Sequence, residues 1–132
     1  MSVGARFDGS SGSLEVQRLR PGVVLLTMTG LHTGELGRAP FDELEGDLAG
    51  GPVEIFIDAR HGRADSPAVS GEWAMFFHAH RAHIARVHLL AAPRVPVESS
   101  ELVRSYAILE DRMDLLTDPA EFARKLDARL RA

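Results

Sequence analysis

Apolar and polar residues alternate near the start of the chain in the way that strands do. From Leu14 the sequence reads Leu-Glu-Val-Gln, a period of two that predicts a half-exposed strand. After a turn at 20–22, residues 23–29 are apolar and β-branched almost without interruption, which is typical of a strand covered on both faces. The two segments predict an antiparallel hairpin.

Helical spacing then alternates with further strands. Pro40 fits a first helical turn, and Phe41, Leu44 and Leu48 recur at helical intervals until two glycines end the pattern. The remaining segments continue this alternation. They are a strand at 53–58, a helix at about 70–83, a strand at 86–91, a helix after Ser99 or Ser100, a strand at 113–116 and a closing helix.

The closing helix has the clearest start signal in the chain. Asp118 can cap it, Pro119 fits its first position and Glu121 can complete a capping box. The resulting order, β-β-α-β-α-β-α-β-α, places helices between strands that are expected to be parallel. We therefore predict an α/β fold with a mixed five-stranded sheet.

Length and composition define the expected domain. A chain of 132 residues, 45% hydrophobic and 26% charged, fits one globular domain, which we place at 14–132. Residues 1–13 are rich in glycine and serine and are predicted to be a flexible leader. They lack the apolar stretch of a secretory signal, and no segment approaches the roughly 18 apolar residues of a membrane span, so the cytoplasm is the expected location.

Charge and residue usage exclude several functional classes. The formal net charge of -4 offers no positive field for nucleic acid, and the chain has few aromatic rings for stacking bases. The absence of cysteine removes disulfides, thiolate nucleophiles and cysteine metal sites. No phosphate-binding loop is found, since Gly50-Gly51 follows a helix, and we predict no cofactor.

Several short motifs lie at the same positions, relative to the predicted strands and helices, as they do in one known family. They are Thr29-Gly30 closing a strand, Pro40 opening a helix, Ile55 to Asp58, Asp65-Ser66 before a helix, and Thr117-Asp118-Pro119 at the last helix. From Val23 onward the chain resembles the STAS domain, the family of SpoIIAA-like anti-sigma factor antagonists. The resemblance implies helices packed mainly on one face of the sheet and a protein partner, an anti-sigma factor or related kinase.

In that family a serine within an Asp-Ser-Ser-Gly-like motif, at the start of the helix after the third strand, is phosphorylated to switch binding. Here Asp65-Ser66 is followed by Pro67, whereas Ser70-Gly71 keeps the second pair of the motif. The resemblance implies Ser66 or Ser70 as the phosphoacceptor. Each serine is also well suited to be a simple helix N-cap.

The resemblance also implies where a partner would bind. The surface combines the first helix with the loop and helix start that follow the third strand, because both lie near one end of the sheet. Its predicted contact residues are Asp42, Glu45, Arg60, Arg63 and Asp65. We expect a non-enzymatic regulatory module that binds a protein.

Other functions remain as alternatives at this point. One is a SEC14-like or STAS-like carrier of a lipid or other small molecule, with a pocket near Phe76, Phe77 and Tyr106. Another is a homo-oligomer. A hydrolase could use His61 with a nearby serine and aspartate, but no nucleophile elbow is found. His78, His80 and His83 do not share one helix face, so we predict no metal site.

Overall fold

The protein is built on one mixed six-stranded sheet. The computed structural model describes residues 3–32, 34–63, 67–91, 109 and 111–131. The strands are β1 (Val3–Asp8), β2 (Gly12–Arg20), β3 (Val23–Gly30), β4 (Val53–Gly62), β5 (Ile84–Leu90) and β6 (Met113–Leu116). The helices are α1 (Ala39–Leu48), α2 (Pro67–Ala79) and α3 (Pro119–Arg131), with a short 3-10 turn at Arg81–His83.

Strand order in the sheet follows chain order. β1, β2 and β3 pair antiparallel, and β3, β4, β5 and β6 pair parallel. β3 is therefore the strand at which the sheet changes from antiparallel to parallel. The predicted α/β class, the mixed sheet and the initial hairpin of β2 and β3 are confirmed, but the strands number six and not five.

The additional strand comes from the segment predicted to be a flexible leader. Residues 3–8 form the edge strand β1, which pairs with β2 from Val3↔Arg18 to Asp8↔Ser13. Phe7 packs against the main core. Gly9, Ser10 and Ser11 form the turn between the two strands, and the alternation of small apolar and polar residues before that turn is the strand signal.

The larger core lies between the sheet and the first two helices. Successive crossovers from β3 to β4 and from β4 to β5 move in one direction along the sheet, so right-handed connections put α1 and α2 on the same face. Alternate strand residues such as Leu26, Ile55 and Val87 point to this face and are fully buried. Phe41 of α1 and Phe77 of α2 complete this core from the helix side.

The opposite face carries a smaller core beneath the closing helix. Val23, Phe56, Leu90 and Leu116 alternate out of phase with the larger core and meet Phe122 of α3. Two of the three described helices thus share one face, and the third lies on the other. Over β1, β2 and the end of β3 this second face is polar, as the contact of Ser13 with Thr29 illustrates.

The observed helix boundaries show which helix starts were correctly predicted from local sequence signals. Asp118 caps α3 as predicted, since its Oδ1 accepts a hydrogen bond from the Ala120 amide at 3.0 Å. α2 begins at Pro67 and not near Ser70, because proline suits a first helical turn. The helix predicted after Ser99 or Ser100 lies outside the described residues, apart from Leu109, which is buried. No described helix combines the length and apolarity needed to cross a membrane.

Candidate functional site

A pocket lies at the edge of the sheet where the parallel strands end. We call this region the carboxyl edge: it comprises residues 30–32 after β3, residues 62–63 after β4, and the first turns of α1 and α2. The pocket encloses about 30 Å³ between the β3–α1 loop, the β1–β2 turn and α2. In open α/β sheets this edge, next to a change in strand direction, is where ligands commonly bind.

Gly30 fixes the point at which β3 turns toward the pocket. Its φ is +72°, and an added Cβ would collide with the carbonyl of Ser11. The Gly30 carbonyl accepts a hydrogen bond from the Arg63 amide at 2.9 Å. The ends of β3 and β4 are therefore held together beside the pocket.

His32 is the most unusual side chain of the pocket. It is only 7% exposed, and its Nε2 has no hydrogen-bond partner among the described residues. A buried polar atom without a partner costs about 1–3 kcal/mol, so proteins seldom retain one without a reason. Because Nε2 is itself buried, an incoming group would recover that free energy only if binding moved the side chains that cover it.

Two carboxylates give the pocket a negative charge. Glu35 is held in place by Ser10, whose amide and hydroxyl donate hydrogen bonds to Oε2 at 3.0 and 2.7 Å. Glu72 lies on α2 and is exposed. The described residues lining the pocket include no lysine or arginine. Both side chains place carboxylate oxygens, which are hydrogen-bond acceptors, at the pocket.

Aromatic rings form the wall toward the core. Phe41 and Trp73 both line the pocket, and their ring centroids lie 4.7 Å apart in an edge-to-face arrangement. Phe76 stacks on Phe41 at 4.9 Å from the core side. Phe76 and Phe77 are buried in the larger core and do not line this pocket. Tyr106 lies outside the described residues.

The predicted contact residues of α1 lie close to one another and to the carboxyl edge. Arg38, just before the helix, contacts Asp42 at 3.8 Å and Glu45 at 3.3 Å. Glu45 also contacts His80 beyond α2 at 3.5 Å. Asp42 is well exposed, whereas Glu45 is drawn toward the junction of the two helices.

The two predicted arginines lie on different parts of the surface. Arg60 contacts Asp58 at 3.3 Å, and Asp58 points to the α3 face of the sheet, away from α1. Arg63 follows β4 at the carboxyl edge and is exposed. Of the two arginines, only Arg63 therefore lies at the carboxyl edge together with Asp42.

Of the two predicted phosphoacceptors, the structure describes Ser70. It is the fourth residue of α2, half-buried, and follows Val69, which lines the pocket. Ser70 is therefore not the helix N-cap that was the alternative to its role as a phosphoacceptor. Ser66 and Asp65 lie outside the described residues.

The histidine, serine and aspartate of the alternative hydrolase do not form a catalytic triad in the described part of the chain. His61 is exposed at the end of β4 and makes no hydrogen bond to Asp58 or Ser70 there. Within the same described ranges, no group of three or more histidines and carboxylates is arranged to hold a metal ion.

A second polar cluster lies on the opposite face of the sheet, beneath α3. His88 is 4% exposed and stacks on Phe56 with ring centroids 4.4 Å apart. Its Nε2 lies 2.5 Å from Glu54 Oε2, and the other oxygen of Glu54 accepts a hydrogen bond from Arg129 Nε at 2.5 Å. Its Nδ1 lies 3.0 Å from Asp114, within ion-pair distance but without the alignment of a hydrogen bond.

Asp114 is the electrostatic centre of this cluster. Arg86 donates two hydrogen bonds to it, at 2.7 and 3.1 Å, and Lys125 lies at 3.8 Å. The hydrogen bonds from Arg86 lower the pKa of the Asp114 carboxyl, although burial opposes them, and the charges of Arg86, His88 and Lys125 lower it further. The same hydrogen bonds raise the pKa of Arg86. This cluster connects α3 to β4, β5 and β6.

Sequence reasoning missed both polar clusters. His32 follows β3 by two residues in a glycine-containing loop, a position at which buried polar side chains often serve binding, but its burial required the β1–β2 turn above it. Glu54, His88 and Asp114 do carry a signal. Each interrupts a strongly apolar strand. In register Asp114 stands beside His88, and Glu54 pairs with Arg86, two residues before His88 on the same face of the sheet.

Comparison with known proteins yields no relative. No family model, no curated protein and no solved structure matches the chain. The functional interpretation therefore depends on the residues and on their geometry.

Proposed function

We propose that the protein is a non-enzymatic regulatory domain, resembling the anti-sigma factor antagonists, that binds a protein partner through its carboxyl edge. The observation that carries the proposal is the pocket at this edge, with the buried, unpartnered His32 beside exposed charged residues. That buried nitrogen would gain a partner if binding of another molecule rearranged the side chains that cover it. The rest of the pocket is compatible with the core of a small interface.

The surroundings of the pocket favour a protein over a free metabolite. Protein interfaces place aromatic anchors at the centre and exposed charges at the rim. Phe41 and Trp73 provide the aromatic centre. The Arg38 guanidinium lies over the Phe41 ring at 5.9 Å, and Asp42 and Arg63 are exposed at the same edge of the sheet. The sheet edge and the starts of two helices offer a broader surface than the small cavity alone.

Phosphorylation is the proposed means of switching this surface. Phosphate on the half-buried Ser70 would add negative charge and bulk next to the pocket-lining Val69. The N-terminal turn of α2 would tolerate that charge within the free domain, because a helix N-terminus is electropositive. The partner would lose affinity while the domain remained folded. The same argument applies to Ser66 if it is the acceptor.

The lipid-carrier alternative draws no comparable support from the described residues. A volume of about 30 Å³ holds one or two water molecules, far less than an acyl chain requires. Phe76 and Phe77 are occupied in packing the core. No observation raises this alternative to a second proposal.

Site-specific photo-crosslinking in the native host tests the proposal. A photoreactive phenylalanine analogue replaces Ala39 at the start of α1 or Ala68 at the start of α2; the matched controls are Ala123 and Ala128 of α3. All four alanines are exposed on helices. We expect one protein to crosslink at the first two positions and not at the controls. Equal capture at all four positions, or capture at α3 alone, would overturn the proposed surface.

The captured protein, once purified, allows the serine switch to be measured. We expect Ser70→Asp or Ser66→Asp to weaken its binding in titration calorimetry at least tenfold, about 1.4 kcal/mol, while the matching alanine variant binds normally. If both aspartate variants bind like the parent, the switch is absent and the binding module remains.

A further inference from the structure

The sheet ends at β1, and one side of that strand is open. β1 pairs with β2 alone, and no described strand lies beyond it. The two strands stay in register from Val3↔Arg18 to Asp8↔Ser13 without a bulge, and β1 contains neither proline nor lysine. Bulges, prolines and lysines are common means by which proteins prevent an edge strand from pairing with another chain. β1 is therefore an edge that a further strand can join.

The hydrogen bonds of the first hairpin show which backbone groups of β1 point outward. The Gly9 amide donates to the Gly12 carbonyl at 2.8 Å, and this bond closes the turn between β1 and β2. In an antiparallel ladder, residues that bond the neighbouring strand alternate with residues that do not. Counting back from Gly9, the residues that turn their amides and carbonyls away from β2 are Asp8, Arg6 and Gly4.

The side chains of β1 differ between its two faces. Arg6 and Asp8, its two charged residues, are exposed on the polar face of the sheet, with Arg6 Nε 3.0 Å from Asp8 Oδ1. Glu15 of β2 lies 4.0 Å from Arg6 on the same face. Phe7 lies on the opposite face, where it is half-buried against the larger core. The edge thus presents one positive and one negative charge on one face and a partly covered ring on the other.

We infer that β1 pairs antiparallel with β1 of a second copy of this chain, about a two-fold axis at Phe7. In this register Arg6 stands opposite Asp8 of the copy, and the four charges form a square in which the signs alternate. A shift of two residues in either direction would set Arg6 opposite Arg6 or Asp8 opposite Asp8, which is destabilising. A shift of one residue would place the polar face of one copy beside the core face of the other.

This register uses the groups that the free edge leaves open. The outward amides and carbonyls of Arg6 and Asp8 exchange hydrogen bonds with those of the copy, and the two Phe7 rings meet on the core face. Because each copy offers the same surface, the contact closes as a dimer and joins the two sheets into one. The contact is short, so the dimer should be in reversible equilibrium with the monomer. The inference goes beyond the proposed function and does not rest on it.

Sedimentation equilibrium of the full chain measures this association and its dependence on charge. We expect the mass to double with rising concentration, and Asp8→Arg to weaken association about tenfold or more, since it sets arginines opposite each other. Asp127→Arg, at an exposed aspartate of α3, is the matched control and should leave association unchanged. A chain that stays monomeric up to about 1 mM, or a dimer that Asp8→Arg leaves intact, would overturn the inference.

Mixing two variants tests whether Arg6 and Asp8 face each other across the dimer. Arg6→Asp carries two acidic residues on β1, and Asp8→Arg carries two basic ones, so each should self-associate weakly. An equimolar mixture should associate about tenfold more tightly than either variant alone, because every opposed pair then has opposite charges. Circular dichroism verifies that both variants are folded. A mixture that associates no better than its components would contradict this pairing.

An introduced cysteine reports the register directly, because the chain has none of its own. Phe7→Cys should give a disulfide-linked dimer on mild oxidation, since the two cysteines would face each other across the axis. Ala5→Cys is the matched control: Ala5 is also half-buried on this face, but the two copies of residue 5 would be too far apart to bridge. Non-reducing electrophoresis compares the rates. Equal rates, or faster crosslinking of Ala5→Cys, would overturn the inferred register and with it the dimer.

Discussion

Two histidines of this protein are almost equally buried but lie in opposite surroundings. His32, at the carboxyl edge, is 7% exposed, and His88, beneath α3, is 4% exposed. His88 stands between the carboxylates of Glu54 and Asp114. The Nε2 of His32 meets no hydrogen-bond partner among the described residues.

The difference separates a structural role from a binding role. The cluster around His88 joins α3 to three strands through complementary charges: one ring nitrogen contacts Glu54, and the other lies within ion-pair distance of Asp114 without a hydrogen bond. His32 lines a pocket and has no such charged group recorded against its ring. Both histidines have a buried nitrogen without a hydrogen bond, so it is the charged groups beside the ring that distinguish the two sites.

The largest expected effect on stability comes from replacing His88 by leucine, and the same replacement at His32 is the comparison. His88→Leu should lower the free energy of unfolding by about 2–4 kcal/mol, because it leaves two largely buried carboxylates facing an apolar side chain. His32→Leu should be neutral or slightly stabilising, because it removes a polar atom that has no partner. Urea denaturation followed by circular dichroism measures both. Equal destabilisation by the two substitutions would remove the contrast between the sites.

Acid should act on the His88 cluster through Asp114. The pKa of Asp114 is lowered chiefly by its hydrogen bonds with Arg86, so the native state binds its proton less readily than the unfolded chain does. Its stabilising contribution is complete above the unfolded value, about 3.9, and is lost as the pH falls through the native pKa. Asp114→Asn should cost about 1–3 kcal/mol at neutral pH and flatten the decline in stability below about pH 4.

Asp47 of α1 is an internal control, because its pKa is shifted in the opposite direction to that of Asp114. Burial raises the pKa of its carboxyl, the charge of Arg18 opposes this, and that of Glu43 adds to it. The native state therefore binds this proton more readily, and the contribution of Asp47 to stability falls as the pH rises through that range. Asp47→Asn should remove this decline. Identical pH profiles for the two asparagine variants would contradict the assigned directions.

The smallest effect on stability is expected at the rim of the pocket. Asp42 and its partner Arg38 are both about two-thirds exposed, so Asp42→Ala should change the free energy of unfolding by less than about 0.5 kcal/mol. The same substitution should reduce the yield of partner crosslinked at Ala39. Asp127→Ala, at an exposed aspartate of α3, should leave that yield unchanged. A stability loss above 1 kcal/mol at Asp42 would place this residue with the structural cluster.

The predicted site was found only in part. A partner surface at the carboxyl edge was implied by the family resemblance. Asp42 and Arg63 do lie at that edge, but Arg60 turns to the other face of the sheet with Asp58. The reason is that strand alternation decides the face of a residue, and the pairing of β3 with β4 shifts register between Thr27 and Thr29. Ser70 was expected at a helix start and lies one turn inside α2.

By itself the sequence determined most of the local structure. Period-two and helical patterns located β2 to β6 and all three described helices, and Asp118 with Pro119 began α3 at the predicted residue, because these signals act between near neighbours. Only the tertiary structure decided that residues 3–8 join the sheet, that His32 is buried without a partner, and that Glu54, His88 and Asp114 meet. Those outcomes depend on strand pairing between distant segments, which no local pattern specifies.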